Sequence, residues 1–177
     1  NILSFQETSG SRLLGWRSNV SDPNSLINTE SIAINVLGLG AGAIHVFESG
    51  QEPLRVENQN NSVRLDHVLS AVKEFSNPGY MTLGPDQNYP PGSYVVDFFL
   101  RAPAPLQTMA TIDVLDAQSN QVLVSRDIPA SAFAVGNDWT RVTLNFTLTH
   151  SDNRMEFRTY WHGTANLDIA VIRVRKP

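Results

Sequence analysis

The sequence predicts an all-β domain, a two-sheet antiparallel β-sandwich of jelly-roll type. Three observations carry this prediction. Segments of the second half alternate apolar and polar residues with a period of two. Clusters of Gly, Pro, Asn, Asp and Ser separate those segments at close spacing. Charged residues make up only 17% of the 177-residue chain, and Asn, Ser, Thr and Gln fill their place. A period of two gives each segment one buried and one wet face, as in antiparallel strands. Short strands at close spacing, with turn residues between them, favour a sandwich or barrel.

Taken in order, the first half is the less regular. Residues 31–37 and 43–47 read as strands, and 54–57 as a third. Residues 62–75 place Leu65, Val68, Leu69, Val72 and Phe75 at helical spacing, with Asn61 or Ser62 as a cap and Asn77-Pro78-Gly79 as a stop. One short helix around 62–75, crossing an end of the sandwich, is the expectation. In the second half, Tyr94, Val96, Phe98 and Leu100 alternate with Val95, Asp97, Phe99 and Arg101. The same alternation runs through 110–115, 141–148 and 155–162, and further strands are expected at 121–126 and 167–174. Asp116-Ala117-Gln118-Ser119-Asn120 reads as a five-residue hairpin loop. Ser151-Asp152-Asn153 and Gly163-Thr164-Ala165-Asn166 read as the turns of two further hairpins. The whole chain, 1–177, is expected to form one domain, with residues 1–42 as its first strands, an N-terminal extension or an exchanged strand.

Composition narrows the function. Hydrophobic residues reach 41%, enough for a globular core. The net charge is −4 and the Lys and Arg residues are scattered, which argues against nucleic acid and against an anionic membrane surface. The absence of cysteine excludes disulfides, thiolate metal sites and Cys nucleophiles. No apolar run approaches the roughly 20 residues that span a bilayer. A start at Asn1 is expected of a chain trimmed on export or cut from a longer protein, and the polar, Cys-free composition fits an extracellular or cell-surface setting.

From Gly79 the chain reads GYMTLGPDQNYPPGSYVVDFFLRA, with MEFRTYWHG and NLDIAVIRVRKP near its end. These segments resemble the jelly-roll carbohydrate-binding modules and related galactose-binding-like domains over roughly residues 79–177. There, a Pro-Gly turn leads into a Gly-x-Tyr-x-Val-x-Phe-x-Leu-Arg strand, here Gly92, Tyr94, Val96, Phe98, Leu100 and Arg101. The resemblance implies a jelly roll, a glycan or polysaccharide partner and a lectin-like, non-catalytic role. It also implies structural calcium, for which this sequence offers only Glu48, Glu57 and Asp168.

Motifs for chemistry are sparse. Gly38, Gly40 and Ala43 fit a nucleotide-loop spacing, but the helix that must follow is replaced by β-prone Ile44-His45-Val46-Phe47. His45, His67, His150 and His162 lack partners at metal-ligand spacing. No Gly-x-Ser-x-Gly elbow occurs. Carboxylates paired for glycoside hydrolysis meet only in space, and cross-strand ion pairs account more simply for Asp97, Asp113 and Glu156 with Arg101 and Arg158. Sequons stand at Asn19, Asn60 and Asn145.

Sugar recognition pairs an aromatic platform with planar hydrogen-bonding groups. The candidates on the face turned from the core are Asp97, Arg101, Asn145, Glu156, Arg158, Tyr160 and His162, with Asp86, Tyr89 and Trp139 from loops. The competing reading of each is a solvated strand face or a core rim. A structural, adhesion or filament subunit, self-associating through residues 1–42 by strand exchange, is the alternative function. A jelly-roll hydrolase or lyase stands third.

Overall fold

The computed structural model describes residues 43–48, 60–65, 68–103, 107–133 and 138–177, apart from the side chains of residues 43, 44, 48 and 65. The expected strands at 31–37 and 54–57, and the expected role of residues 1–42, lie outside the described residues. Among the described residues the secondary structure is eleven strands and one short 3-10 turn, Ala130–Ala132. The strands are β1 (Ala43–Glu48), β2 (Val63–Leu65), β3 (Val68–Ala71), β4 (Gly79–Thr82), β5 (Pro85–Gln87) and β6 (Gly92–Arg101). They continue with β7 (Ala110–Asp116), β8 (Gln121–Ile128), β9 (Thr140–Leu148), β10 (Met155–Trp161) and β11 (Leu167–Arg175).

The strands form two sheets. One has six strands in the order β2-β3-β11-β6-β9, with β1 also paired to β11; the other has five, β4-β10-β7-β8, with β5 also paired to β10. From β3 onward the chain changes sheet at every connection except β4–β5 and β7–β8. That alternation makes the sandwich a jelly roll.

The period-two pattern fixes what each sheet buries. Tyr94, Val96, Phe98 and Leu100 of β6 and Val142, Leu144, Phe146 and Leu148 of β9 point inward from the six-stranded sheet. Ala110, Ile112 and Val114 of β7 and Met155, Phe157 and Trp161 of β10 meet them from the other. Tyr94 stacks on Phe146, centroids 5.3 Å apart, and Phe146 packs on Phe157 across the sheets at 6.0 Å. Crossovers are tied by side chains. Asn153 accepts from the Tyr89 amide at 2.9 Å and donates to the Tyr89 carbonyl at 2.8 Å. The Trp161 indole donates to the Ala165 carbonyl at 2.9 Å. Gly163 sits at φ +76°, where a Cβ would lie 2.9 Å from Pro78, so only glycine fits this turn.

Three expectations need correction. Residues 62–75 are not a helix but the strands β2 and β3 followed by one turn, in which Phe75 and Ser76 amides donate to the Val72 carbonyl at 2.9 and 2.7 Å. Leu69 faces the core, while Val68 is buried on the opposite face and Phe75 is 78% exposed. A strand with buried apolar residues on both faces loses its alternation, and here those residues coincide with helical spacing. Residues 151–153 and 163–166 are not hairpin turns: each carries the chain from one sheet to the other. The β7–β8 hairpin is real, but Asp116 pairs with Gln121, leaving a four-residue loop.

Candidate functional site

The outer face of the five-stranded sheet gathers the sugar-binding residue types. Cross-strand register sets its rows. Tyr160 of β10 stands opposite Tyr80 of β4 on one side and Thr111 of β7 on the other, and Thr111 stands opposite Asp127 of β8. In the next row Arg158 stands opposite Asp113, and in the third Glu156 stands opposite Leu115. Each of these side chains points outward because its neighbours Phe157, Thr159 and Trp161 on β10, and Ile112 and Val114 on β7, are turned into the buried interior.

Tyr80 and Tyr160 form the aromatic centre, centroids 5.1 Å apart and planes at 85°. The Arg158 guanidinium lies 5.0 Å from the Tyr80 ring centroid. Asp113 grips that guanidinium with two oxygens, accepting from Nε at 2.7 Å and from an Nη at 3.0 Å. Burial works against the charged guanidinium, but the Asp113 hydrogen bonds and charge outweigh it and raise its pKa. His162 continues the aromatic line, 5.5 Å from Tyr160. Its Nε2 is 2.9 Å from the Thr111 hydroxyl, which donates to Asp127 at 2.7 Å. A hydroxyl has one proton, so Thr111 accepts from His162, whose Nε2 must carry hydrogen. The face therefore offers tyrosine rings and hydroxyls, a braced guanidinium, an oriented imidazole and the Glu156 carboxylate.

Four of the expected residues, Glu156, Arg158, Tyr160 and His162, thus share one face. The others lie elsewhere. Asp97 is fully buried on the six-stranded sheet, accepting from Arg173 at 2.5 Å, Arg175 at 3.2 Å and Thr143 at 2.7 Å. Arg101 lies on the same sheet, ion-paired to Asp168 at 2.9 Å and 4.5 Å from the Trp139 ring centroid. Asn145 is exposed on β9 opposite Val95. Asp86 pairs with Arg154 at 3.1 Å. Tyr89 is a core residue, 1% exposed. Tyr80, Thr111, Asp113 and Asp127 complete this face without being among the binding residues that the sequence suggests. Tyr80 is preceded by a glycine and followed by inward-pointing Met81, and that step was the available signal.

No group of three His, Asp or Glu side chains able to hold a metal ion occurs among the described residues. Of the calcium candidates, Asp168 is held by Arg101 and accepts from Ser70 at 2.6 Å, which is the environment of an ion-paired carboxylate. Glu57 and the Glu48 side chain lie outside the described residues, as do His67 and the Asn19 sequon. Asn60 is fully buried and donates to the Asn77 carbonyl at 2.7 Å. No helix among the described residues is long and apolar enough to cross a membrane.

No family model and no curated protein matches the sequence. Solved structures do resemble it in fold. BiXyn10A CBM1 in its apo form is 9% identical with a TM-score of 0.50, covering 77% of this chain and 99% of that one. The second N-terminal cellulose-binding domain of Cellulomonas fimi β-1,4-glucanase C is 14% identical with a TM-score of 0.49, covering 77% of this chain and 94% of that one. The carbohydrate binding module CBM6cm-2 of Cellvibrio mixtus lichenase 5A, in complex with cellotriose, is 13% identical with a TM-score of 0.42, covering 76% and 98%. The likeness to BiXyn10A CBM1 is one of architecture: the chain has the jelly-roll fold of carbohydrate-binding modules.

Proposed function

We propose that this chain is a non-catalytic, extracellular glycan-binding module whose ligand lies across the outer face of the five-stranded sheet. The observation that carries the reading is the Tyr80–Tyr160 pair, set beside an Arg158 that Asp113 holds in place. Sugar rings pack their C–H faces on aromatic rings and their hydroxyls on planar charged groups. Arg158, Glu156 and His162 surround the tyrosines with such groups. The fold shared with BiXyn10A CBM1 supports the reading as architecture and says nothing of the ligand.

The geometry also narrows the ligand's form. Two rings at 85° cannot both lie flat under one planar surface. They suit a single, soluble glycan chain that meets one ring by its face and the other by its edge, rather than a crystalline array. Two of the three carboxylates of this face are engaged within it, Asp113 by Arg158 and Asp127 by Thr111.

The test is thermal unfolding against soluble polysaccharides, namely β-glucan, xylan and mannan. Binding to the folded state alone raises the melting temperature. The expected result is a concentration-dependent rise with at least one polymer, abolished in Tyr160→Ala. No rise with any of them at saturating concentration overturns the proposal.

A further inference from the structure

The arrangement of the Tyr80 face recurs at a second pair that keeps part of its surface exposed. On the five-stranded sheet, Asp113 braces Arg158 and the guanidinium lies 5.0 Å from the centroid of Tyr80. On the six-stranded sheet, Asp168 braces Arg101 and the guanidinium lies 4.5 Å from the centroid of Trp139. In both cases acid and base are direct cross-strand neighbours, Arg158 with Asp113 and Asp168 with Arg101.

The second group sits in a row across the sheet. Ser70 of β3 stands opposite Asp168 of β11, which stands opposite Arg101 of β6. Trp139 directly precedes β9, whose Thr140 stands opposite Leu100, so Trp139 falls next to Arg101. Three inter-strand steps make the row about 14 Å long, the scale of a short oligosaccharide. Ser70 donates to Asp168 at 2.6 Å. The Arg101 and Asp168 side chains keep 23% and 20% of their surface exposed. The ion pair further along the same face, Arg173 with Asp97, keeps only 3% and 0%. The Arg173 guanidinium likewise lies 5.5 Å from the Phe99 ring centroid, so what sets the Arg101 row apart is the surface its ion pair keeps exposed and the partly buried Trp139 at its end.

We propose that the row Ser70, Asp168, Arg101 and Trp139 is a second glycan-binding site and that the protein bridges two glycan chains. This rests on the reading of the Tyr80–Tyr160 face as the first site. The two rows lie on the outer faces of opposite sheets, which pack about 10 Å apart back to back. One chain cannot lie on both without wrapping an edge of the sandwich. Occupation of both faces therefore links separate polymers.

The experiment is isothermal titration of the protein with cellohexaose, xylohexaose and laminarihexaose, alongside light scattering of the protein mixed with the corresponding long-chain soluble polymer. The unmodified protein should bind two hexasaccharides and raise scattering with the polymer. Tyr160→Ala and Trp139→Ala should each bind one and lose the scattering, and the double variant should bind none. Asp168→Asn, which keeps the tryptophan, should also lose one site and covers the case of a Trp139 variant that does not fold. One ligand per protein, lost in Tyr160→Ala and unchanged in Trp139→Ala, overturns the second site and leaves the first standing. One ligand, lost only in Trp139→Ala, overturns bridging and the Tyr160 face together. No binding of any of the three sugars overturns both.

Discussion

Asp97 and Arg173 face each other across β6 and β11, 2.5 Å apart, with 0% and 3% of their side chains exposed. They lie on the outer face of a sheet, where a wet ion pair is the usual finding, yet they are as buried as core residues. Arg175 and Thr143 complete the hydrogen bonds of the same carboxylate.

Breaking a buried pair from one side leaves an uncompensated charge. Asp97→Ala should therefore destabilise the protein by about 3–5 kcal/mol. Urea unfolding with an unchanged slope checks it. A loss under about 1 kcal/mol, the range of exposed pairs, would refute it.

The same carboxylate predicts acid sensitivity. Burial pushes the Asp97 pKa up, but hydrogen bonds from Arg173, Thr143 and Arg175 outweigh it and leave the pKa below the usual value. Asp116 is lowered likewise: burial raises it, and hydrogen bonds from the Arg154 amide, the Ser119 hydroxyl and the Gln118 amide win. A depressed folded pKa means the unfolded chain takes up protons first as pH falls. The stabilisation is thus full above about pH 4, the unfolded aspartate value, and disappears as pH drops through the folded values. Urea midpoints between pH 6 and 2.5 should fall at the acid end, and more gently in Asp97→Asn or Asp116→Asn. An equal fall in these variants would place the acid sensitivity elsewhere.

Tyr89 has no hydrogen-bond partner for its buried hydroxyl among the described residues, and burial raises its phenol pKa far above the ordinary value. Unsatisfied buried polar groups cost about 1–3 kcal/mol. Tyr89→Phe should leave the melting temperature unchanged or higher, with sugar binding intact. A drop of several degrees would show that the hydroxyl is satisfied after all.

Tyr80 and Tyr160 lie on an outer face, so removing either ring should cost little stability. Tyr160→Ala and Tyr80→Ala should each weaken glycan binding at least about tenfold, near 1.4 kcal/mol, while shifting the unfolding free energy by under about 1 kcal/mol. Calorimetry paired with urea unfolding separates the two. Full affinity in both variants would remove the tyrosine pair from the site.

The alternation of residues was legible wherever one face of a strand is wet. It gave the inward sets of β6, β7, β9 and β10, and it turned Glu156, Arg158 and Tyr160 to one common side. It failed at β3, because a strand with buried apolar residues on both faces carries no alternation. It also could not choose the sheet to which a strand belongs. Period two distinguishes in from out and is the same in both layers of a sandwich, so Asp97 and Arg158 read alike although they lie on opposite faces of the molecule. Short connections read as hairpins for the same reason, since a crossing between sheets about 10 Å apart needs no more chain than a loose turn. Composition and periodicity determined by themselves an all-β sandwich and the inward side of its main strands. Only the tertiary pairing decided that Tyr80 meets Tyr160, that Asp113 and Asp168 each brace an arginine against a ring, and that Tyr89 is core, because those contacts join residues far apart in sequence that no local pattern links.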